Sequence, residues 1–287
     1  MITIHKVLKE AEGRLKDKVS TPLLDAQVML CHILDVDRLH LIVNRDKVLT
    51  TEEAYEYNEL IEKRLDGVPV QYIIGNQEFM GLKFYVEEGV LIPRPDTEIL
   101  IEKVIEDIDQ GNNYNIVDIG TGSGAITVSL AKFIEKTHVF SVDISEKAIK
   151  IAMKNAETNG VTSKISFLNG SLFSPLDSIG IKGEIDILVS NPPYIPSKEI
   201  EGLQVEVSKY EPRIALDGGE DGLDFYREIV DKAPEYVRRG GLIALEVGHD
   251  QARTVARLME EKDSYVDIEI TKDLAGIERV VSGKIKG

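Results

Sequence analysis

A short turn, Asn191-Pro192-Pro193-Tyr194, follows the apolar run Ile185–Ser190. The Asn191 side chain and the Pro192 carbonyl are hydrogen-bond acceptors, and Pro193 restricts the residue before it to an extended backbone. Two acceptors fixed in this way could hold both hydrogens of a planar amino group, on which Tyr194 could stack. A plain Pro-Pro turn is the simpler alternative. At the end of a strand in an open α/β sheet, the turn would face the ligand crevice.

A glycine-rich loop follows the apolar run Asn115–Ile119 and precedes a helical pattern. Its residues are Gly120, Thr121, Gly122, Ser123 and Gly124. Glycines let the backbone approach a ligand closely, with N–H groups pointing outward. The spacing G-x-G-x-G lacks the last glycine of the NAD-binding pattern, because residue 125 is alanine, and no phosphate-binding G-x-x-x-x-G-K-[ST] motif occurs. An ordinary tight turn between a strand and a helix is the alternative.

Asp143 ends the next apolar run, Val139–Val142. A carboxylate at the tip of the second strand lies beside the glycine loop and can accept both hydroxyls of a ribose. A capping or loop role is the alternative. Because no phosphate-binding Lys or Arg accompanies the loop, the pattern favours a nucleoside cofactor without a pyrophosphate, which S-adenosyl-L-methionine fits.

The elements that position these residues alternate between strands and helices from about residue 113. This alternation predicts an α/β fold with a mostly parallel sheet and helices on both faces. The strand candidates are Asn115–Ile119, Val139–Val142, Ile165–Leu168, Ile185–Val189 and Leu242–Val247.

The chain before this alternation reads as helices up to about residue 75. Thr21 before Pro22 predicts a helix start, and Thr50 with Glu53 predicts a capping box. We expect Val68–Gly75 to be extended. Beyond it, Phe79–Val90 favours a hairpin or short strands, and Asp96 could cap the next helix.

Composition restricts the partners. The 287 residues include 50 Asp or Glu and 34 Lys or Arg, a net charge of −16 that is opposite to what tight nucleic-acid binding favours. The single cysteine, Cys31, excludes an intramolecular disulfide framework and a multi-cysteine metal site. We found no apolar stretch typical of a secretory signal or a membrane span, so we expect a cytoplasmic protein.

Together these motifs resemble class I S-adenosylmethionine-dependent methyltransferases that modify amide or exocyclic amino nitrogens. Further segments resemble the HemK/PrmC family of glutamine-N5 methyltransferases of peptide chain release factors, over most of the chain and most weakly in the first 60 residues. These segments are Val68–Gly75, Glu78-Phe79, Leu91–Glu98, Tyr210–Pro212, Ala215-Leu216, Gly218-Gly219, Glu246–Gly248 with Gln251, and Ala275-Gly276 with Arg279.

The resemblance implies a helical substrate-recognition domain over residues 1–75, a hairpin linker over 76–95, and a seven-stranded methyltransferase domain over 96–287. It implies methylation of the glutamine in the Gly-Gly-Gln motif of a release factor. Asn191–Tyr194 would hold the target amide, and Gly120–Gly124, Asp143 and Asn191 would hold the cofactor. Ser171, beside Leu172, stands where such enzymes often carry Asp near the adenine. We expect no bound metal, no nucleic-acid or membrane partner, and a monomer.

Three other functions compete with this interpretation. An adenine-N6 methyltransferase of DNA or RNA could use the same Asn-Pro-Pro-Tyr turn, but the acidic charge and the lack of a basic recognition segment argue against it. An NAD-dependent oxidoreductase would need the absent glycine. A binding module without catalysis would have no need of the complete turn.

Overall fold

Helices alone form the start of the chain, and strands alternate with helices from Tyr114 onward. The computed structural model describes residues 2–287. The helices are α1 Ile4–Leu15, α2 Pro22–Leu34, α3 Arg38–Val43, α4 Thr51–Leu65, α5 Val70–Ile74, α6 Glu98–Asp107, α7 Ala125–Phe133, α8 Glu146–Thr158, α9 Ser174–Ile179, α10 Val205–Ser208, α11 Asp224–Tyr236 and α12 Ala252–Glu260. The strands are β1 Asn76–Phe79, β2 Leu82–Tyr85, β3 Tyr114–Ile119, β4 Thr137–Asp143, β5 Ile165–Asn169, β6 Ile185–Ser190, β7 Val237–Glu246, β8 Tyr265–Lys272 and β9 Glu278–Ile285.

A seven-stranded sheet has the order β5-β4-β3-β6-β7-β9-β8. The pairings from β5 to β7 are parallel, and β9 runs antiparallel between β7 and β8. The predicted α/β class with a mostly parallel sheet is confirmed. Because β4 and β6 lie on opposite sides of β3, the strand order reverses at β3, where open sheets form a ligand crevice.

Side chains of neighbouring strand residues enter two separate cores. Val117 of β3 and Leu188 of β6 pack in a core that contains residues of α11 and α12. Ile116 and Ile187 pack in a second core that contains residues of α6 and α7. This alternation follows from the two-residue period of a strand, and it explains why these strands are apolar throughout.

The N-terminal helices bury their own core. Ile4, Leu15, Met29, Leu30 and Ile61 are fully or almost fully buried there. The predicted capping box is confirmed, because the Glu53 N–H donates to the Thr50 hydroxyl at 3.1 Å and the Thr50 N–H donates to the Glu53 carboxylate at 2.6 Å.

One local expectation for this region is confirmed and one is wrong. Helix α2 begins at Pro22 with Thr21 at the N-cap position, as predicted, although the Thr21 hydroxyl donates to Asp25 and accepts no helix N–H. The segment expected to be extended contains α5, Val70–Ile74, which ends at Gly75 in a left-handed conformation. Burial of Val70 in the N-terminal core outweighs the strand preference of its β-branched residues.

A buried ion pair lies inside this helical unit, which comprises the residues up to Asn76 together with Gln204–Tyr210. The Arg64 guanidinium contacts the Asp25 carboxylate at 2.7 Å, and both side chains are less than a tenth exposed. Arg64 also contacts Glu206 of α10 at 2.7 Å. A short helix from far along the sequence therefore belongs to the N-terminal unit.

Within residues 2–287, no helix has the length and apolar character that a membrane span requires.

Candidate active site

A cavity of about 270 Å³ opens beyond the carboxyl ends of β3, β4 and β6. It is lined by eight of the residues that the sequence singled out. These are Gly120, Gly122, Asp143, Ser171, Leu172, Asn191, Pro192 and Pro193. Val90, Leu91 and Ile144 add apolar wall. The structure thus brings the glycine loop, the strand-tip carboxylate and the Asn-Pro-Pro turn to one cavity.

Four of the singled-out residues do not line this cavity. Thr121 and Ser123 are buried, and a side chain at Gly124 would meet Ala152 at 3.0 Å. Tyr194 packs against the core that contains α11.

Asp143 is fixed by the backbone around it. One carboxylate oxygen accepts the Gly122 N–H and the other accepts the Ser145 N–H, both at 2.8 Å. Burial raises the pKa of Asp143, while these two N–H groups oppose the rise. Since a carboxylate oxygen accepts more than one hydrogen bond, both oxygens keep acceptor capacity for a ligand.

A buried polar cluster supports the glycine loop. The Asp118 carboxylate accepts hydrogen bonds from the hydroxyls of Thr121 at 3.0 Å and Thr127 at 2.6 Å. The Ser141 hydroxyl donates to Thr121 at 2.7 Å. Burial raises the pKa of Asp118 to about 6, although the two threonine hydroxyls oppose the rise. No pattern in the local sequence pointed to this role for Asp118.

Asn155 of α8 joins the β1–β2 hairpin to the glycine loop. Its side-chain amide donates to the carbonyls of Tyr85 at 2.9 Å and Ser123 at 2.8 Å, and its oxygen accepts the Tyr85 N–H at 2.7 Å. Asn155 is completely buried. This role was not predictable, because nothing in the local sequence distinguishes Asn155 from an exposed helical asparagine.

The turn after β5 carries backbone strain beside the cavity. Leu172 has a φ of 48°, a left-handed conformation that leucine rarely adopts. Ser171, expected near the adenine, lines the same wall, and its carbonyl accepts the Ser174 hydroxyl at 2.8 Å. The strained backbone at Leu172 determines the path of the turn that lines the cavity here.

The Asn-Pro-Pro-Tyr turn is held on both sides. The Ser190 hydroxyl donates to the Ile119 carbonyl at 2.6 Å, which joins the ends of β6 and β3. The Gln251 side-chain amide donates to the carbonyls of Tyr194 at 2.9 Å and Gly222 at 3.2 Å. Burial raises the pKa of Tyr194 to about 12, so its hydroxyl is neutral at physiological pH.

Two further polar residues lie behind Asn191. The Asn191 side-chain amide donates to the Thr97 hydroxyl at 3.2 Å. Glu246, the last residue of β7, is 2% exposed, and burial raises its pKa to about 7. Glu246 belongs to a segment that resembles the methyltransferase family, but no local pattern connects it to Asn191.

Charged residues from the family-like segments pair with one another. The Arg94 guanidinium pairs with Glu211. The Arg279 guanidinium contacts Asp96 at 2.7 Å and Asp273 at 3.0 Å. The expectation that Asp96 caps a helix is wrong, since a short 3-10 turn, Pro95–Thr97, precedes α6 and the carboxylate pairs with Arg279. Within residues 2–287, no group of three or more His, Cys, Asp or Glu could hold a metal ion.

Two family models and several solved structures match parts of the chain. The family described as "PrmC N-terminal domain" matches residues 6–75, and "Methyltransferase small domain" matches residues 95–206. Among solved structures, a methyltransferase from Pyrococcus furiosus has a TM-score of 0.52 at 19% identity, covering 72% of this chain and 90% of its own. Ribosomal protein L11 methylase from Lactobacillus delbrueckii has a TM-score of 0.50 at 17% identity, covering 69% and 82%. Both likenesses concern the fold.

Curated relatives match nearly the full length. A release factor glutamine methyltransferase from Geobacter sulfurreducens is 44% identical over 99% of this chain and 97% of its own length. A relative of the same name from Clostridium acetobutylicum is 42% identical over 98% of this chain and 95% of its own. Identity this high across both chains shows that the protein belongs to the release factor glutamine methyltransferase family.

Proposed function

We propose that this protein transfers a methyl group from S-adenosyl-L-methionine to the side-chain amide nitrogen, N5, of the glutamine in the Gly-Gly-Gln motif of peptide chain release factors. The observation that carries the proposal is that the glycine loop, Asp143 and the Asn191–Pro193 segment line one cavity at the strand reversal. The family membership supports the same activity.

The residues present fit a nucleoside cofactor. A side chain at Gly120 would lie 3.9 Å from the Asn191 carbonyl oxygen, so this glycine leaves free the space between the loop and the turn. Asp143 would hold the ribose hydroxyls, the glycine loop would pass along the methionine part, and Ser171 and Leu172 would line the adenine side. When bound, the cofactor supplies an electrophilic methyl group on a sulfonium, leaving S-adenosyl-L-homocysteine.

The turn would hold the nitrogen that is methylated. An amide nitrogen is a poor nucleophile, because its lone pair is delocalised, so alignment matters more than activation by a base. Asn191 Oδ1 and the Pro192 carbonyl would accept its two hydrogens and stabilise the positive charge that builds on it. Tyr194 would support the turn from the core side, and the proton would leave to water after transfer.

The N-terminal unit would hold a second region of the release factor. Helix α3 presents three exposed apolar side chains, Leu39, Ile42 and Val43, each more than three fifths exposed. Remote binding of this kind positions a substrate and raises kcat/KM. A short Gly-Gly-Gln peptide lacks that second region, so we expect it to be a poor substrate.

The cytoplasm, where release factors act, is the compartment this function requires.

A methyl-transfer assay with isotopically labelled cofactor and purified release factor tests the proposal. We expect one methyl group on the glutamine, located by mass mapping, and none on a release factor whose glutamine is replaced by glutamate. Duplex DNA and the isolated peptide are tested in parallel. Efficient methylation of DNA would support an adenine-N6 methyltransferase and overturn the proposal.

Two variants separate the effects on chemistry from the effects on docking. Asn191→Ala should lower kcat by about 10²–10³ while sparing affinity for S-adenosylhomocysteine, because it removes an oriented acceptor. Leu39→Ser combined with Ile42→Ser should raise KM for the whole release factor but not for the peptide. Ile179→Ser, an equally polar change at an exposed position of α9, is the matched control and should change neither constant.

A further inference from the structure

Glu246 is a buried carboxyl group that the proposed chemistry does not use. One of its oxygens, Oε2, is buried without a hydrogen-bond partner among residues 2–287. Burying a carboxylate without a partner costs free energy, so its presence here requires an explanation. Thr97, Asn191, Asp96 and Arg279 all influence the protonation of this carboxyl group, so the four side chains lie close to it.

The donors and acceptors around Thr97 restrict how Asn191 can be oriented. A carboxylate only accepts hydrogen bonds, and the Thr97 hydroxyl has a single hydrogen to donate. If that hydrogen goes to Glu246, the hydroxyl oxygen must accept from its other neighbour, the Asn191 side-chain amide at 3.2 Å. Asn191 Nδ2 then faces Thr97, and Oδ1 faces the cavity that Asn191 lines. The surrounding hydrogen-bond network determines the positions of the oxygen and the nitrogen of an asparagine side chain.

We infer that Glu246 and Thr97 are positioning residues that hold Asn191 with Oδ1 toward the substrate, as an acceptor for the hydrogens of the target amide. The expected effect on catalysis rests on the proposed function. The orientation of Asn191 does not depend on it. Without the two residues, Asn191 could turn its NH₂ toward the amino group, where donor would face donor. The site would then lose the acceptor that recognises a primary amide.

Protonation of Glu246 would reverse the network. A protonated glutamate donates to Thr97, whose hydrogen is then free to bind Asn191 Oδ1 and draw it away from the cavity. Burial raises the pKa of Glu246 to about 7, so this reversal falls near neutrality. The other groups facing it are Asp96 and Arg279, which pair at 2.7 Å, and the hydroxyls of Tyr194 and Tyr226. Both tyrosine pKa values are raised by burial, so neither tyrosine titrates in this range.

The kinetic test compares Thr97→Val with Thr97→Ser in the full-length protein. Thr97→Val should lower kcat for the release factor about 10- to 100-fold, as loss of a group that orients an active-site side chain does, with unchanged S-adenosylhomocysteine affinity by calorimetry. Thr97→Ser keeps the hydroxyl and should restore most of the rate. Thr137→Val, which removes a hydroxyl that donates to the Tyr114 carbonyl at the far end of β4, should leave kcat unchanged.

The pH profile tests Glu246 itself. In the wild-type protein kcat should fall as the pH drops below about 7, and Glu246→Gln should remove that inflection. Wild-type kcat in folded Thr97→Val, or an unchanged inflection in Glu246→Gln, would overturn the inference.

A third readout needs no substrate. The side-chain amide hydrogens of Asn191, assigned in NMR spectra by their loss in Asn191→Ala, should exchange slowly with solvent in the wild-type protein and rapidly in Thr97→Val. Equal exchange rates in the two proteins would overturn the orientation. Slow exchange in a protein that methylates no release factor would instead contradict the proposed function alone.

Discussion

The carboxylate of Asp143 accepts the backbone N–H of Gly122 at 2.8 Å, so the tip of β4 holds the middle of the glycine loop. The same carboxylate accepts the N–H of Ser145, the residue that caps α8. One side chain thus sets the relative positions of the loop, the strand and the helix that surround the cavity. Both oxygens keep acceptor capacity, and Asp143 lines the cavity.

Asp143→Ala should weaken S-adenosylmethionine binding about ten- to hundred-fold. The change removes charge-assisted hydrogen bonds worth roughly 1.5–3 kcal/mol. Calorimetry with the folded variant measures the affinity. Asp177→Ala removes an exposed carboxylate away from the cavity and serves as the control. Wild-type affinity in Asp143→Ala would refute the ribose assignment.

Arg64→Met should destabilise the N-terminal helices by about 3–5 kcal/mol, because it leaves the buried Asp25 carboxylate unpaired. Adding Asp25→Leu should recover part of that loss, since the lone charge is then removed. Hydrogen exchange of the α2 and α4 amides measures the effect within the unit. Glu206→Gln, at the more exposed end of the network, should cost at most about 1 kcal/mol. Additive losses in the double variant would contradict the coupling.

Gly222→Ala should lower both stability and turnover. Gly222 has a φ of 77°, and a methyl group there would clash with the Tyr194 carbonyl oxygen and lie 2.7 Å from Gln251 Nε2. Gly240→Ala is a matched control, because Gly240 has a φ of 73° but no atom within 4 Å of the added methyl. The control should cost only the backbone strain, about 1–2 kcal/mol. Melting curves and kcat should therefore separate the two variants; equal values would mean that the turn tolerates displacement.

Asp118→Asn should change how stability depends on pH. Because burial raises the folded-state pKa of Asp118 from 3.8 to about 6, the native protein binds more protons than the unfolded chain between these values. Stability contributed by this group is present below pH 4 and is lost as the pH rises through 6, by up to about 3 kcal/mol. The variant should gain that much relative to wild type between pH 4 and pH 7 in urea unfolding.

Asp231→Asn provides the contrast for this measurement. Lys262 holds the pKa of the exposed Asp231 below its usual value, so the difference between Asp231→Asn and wild type should change with pH in the opposite direction. A pH-independent difference between Asp118→Asn and wild type would show that Asp118 does not titrate in this range.

Much of the fold could be predicted from the local sequence. The capping box at Thr50 and Glu53 forms as predicted, because all of its partners lie within one helical turn. The central parallel strands were readable as apolar runs, since both faces of the sheet are buried. Strand β8 had no such signal, because it is largely exposed and its burial alternates irregularly. Helix α5 was misread, because burial of its apolar residues overrode their local preference.

The site could be predicted from the sequence only where its residues form short motifs at the ends of strands. The glycine loop, Asp143 and the Asn191–Pro193 segment meet because the carboxyl ends of neighbouring parallel strands meet. Thr97, Asn155 and Glu246 reach the site through tertiary packing from separate elements, so no spacing in the sequence connects them to it. Chemistry could be inferred from contiguous motifs, whereas the residues that orient those motifs required the structure.

Helix α10 adds a constraint on the order in which the chain can fold. The N-terminal unit includes Gln204–Tyr210, so this unit is incomplete until that segment has been synthesised. During translation, β3 through β6 emerge before the unit can bury Arg64 against Glu206. A fragment that ends near residue 76 would lack this partner, and a protein that begins after it would leave α10 without its packing surface. The two units are therefore interleaved along the chain, because Gln204–Tyr210 of the N-terminal unit is synthesised between two segments of the other unit.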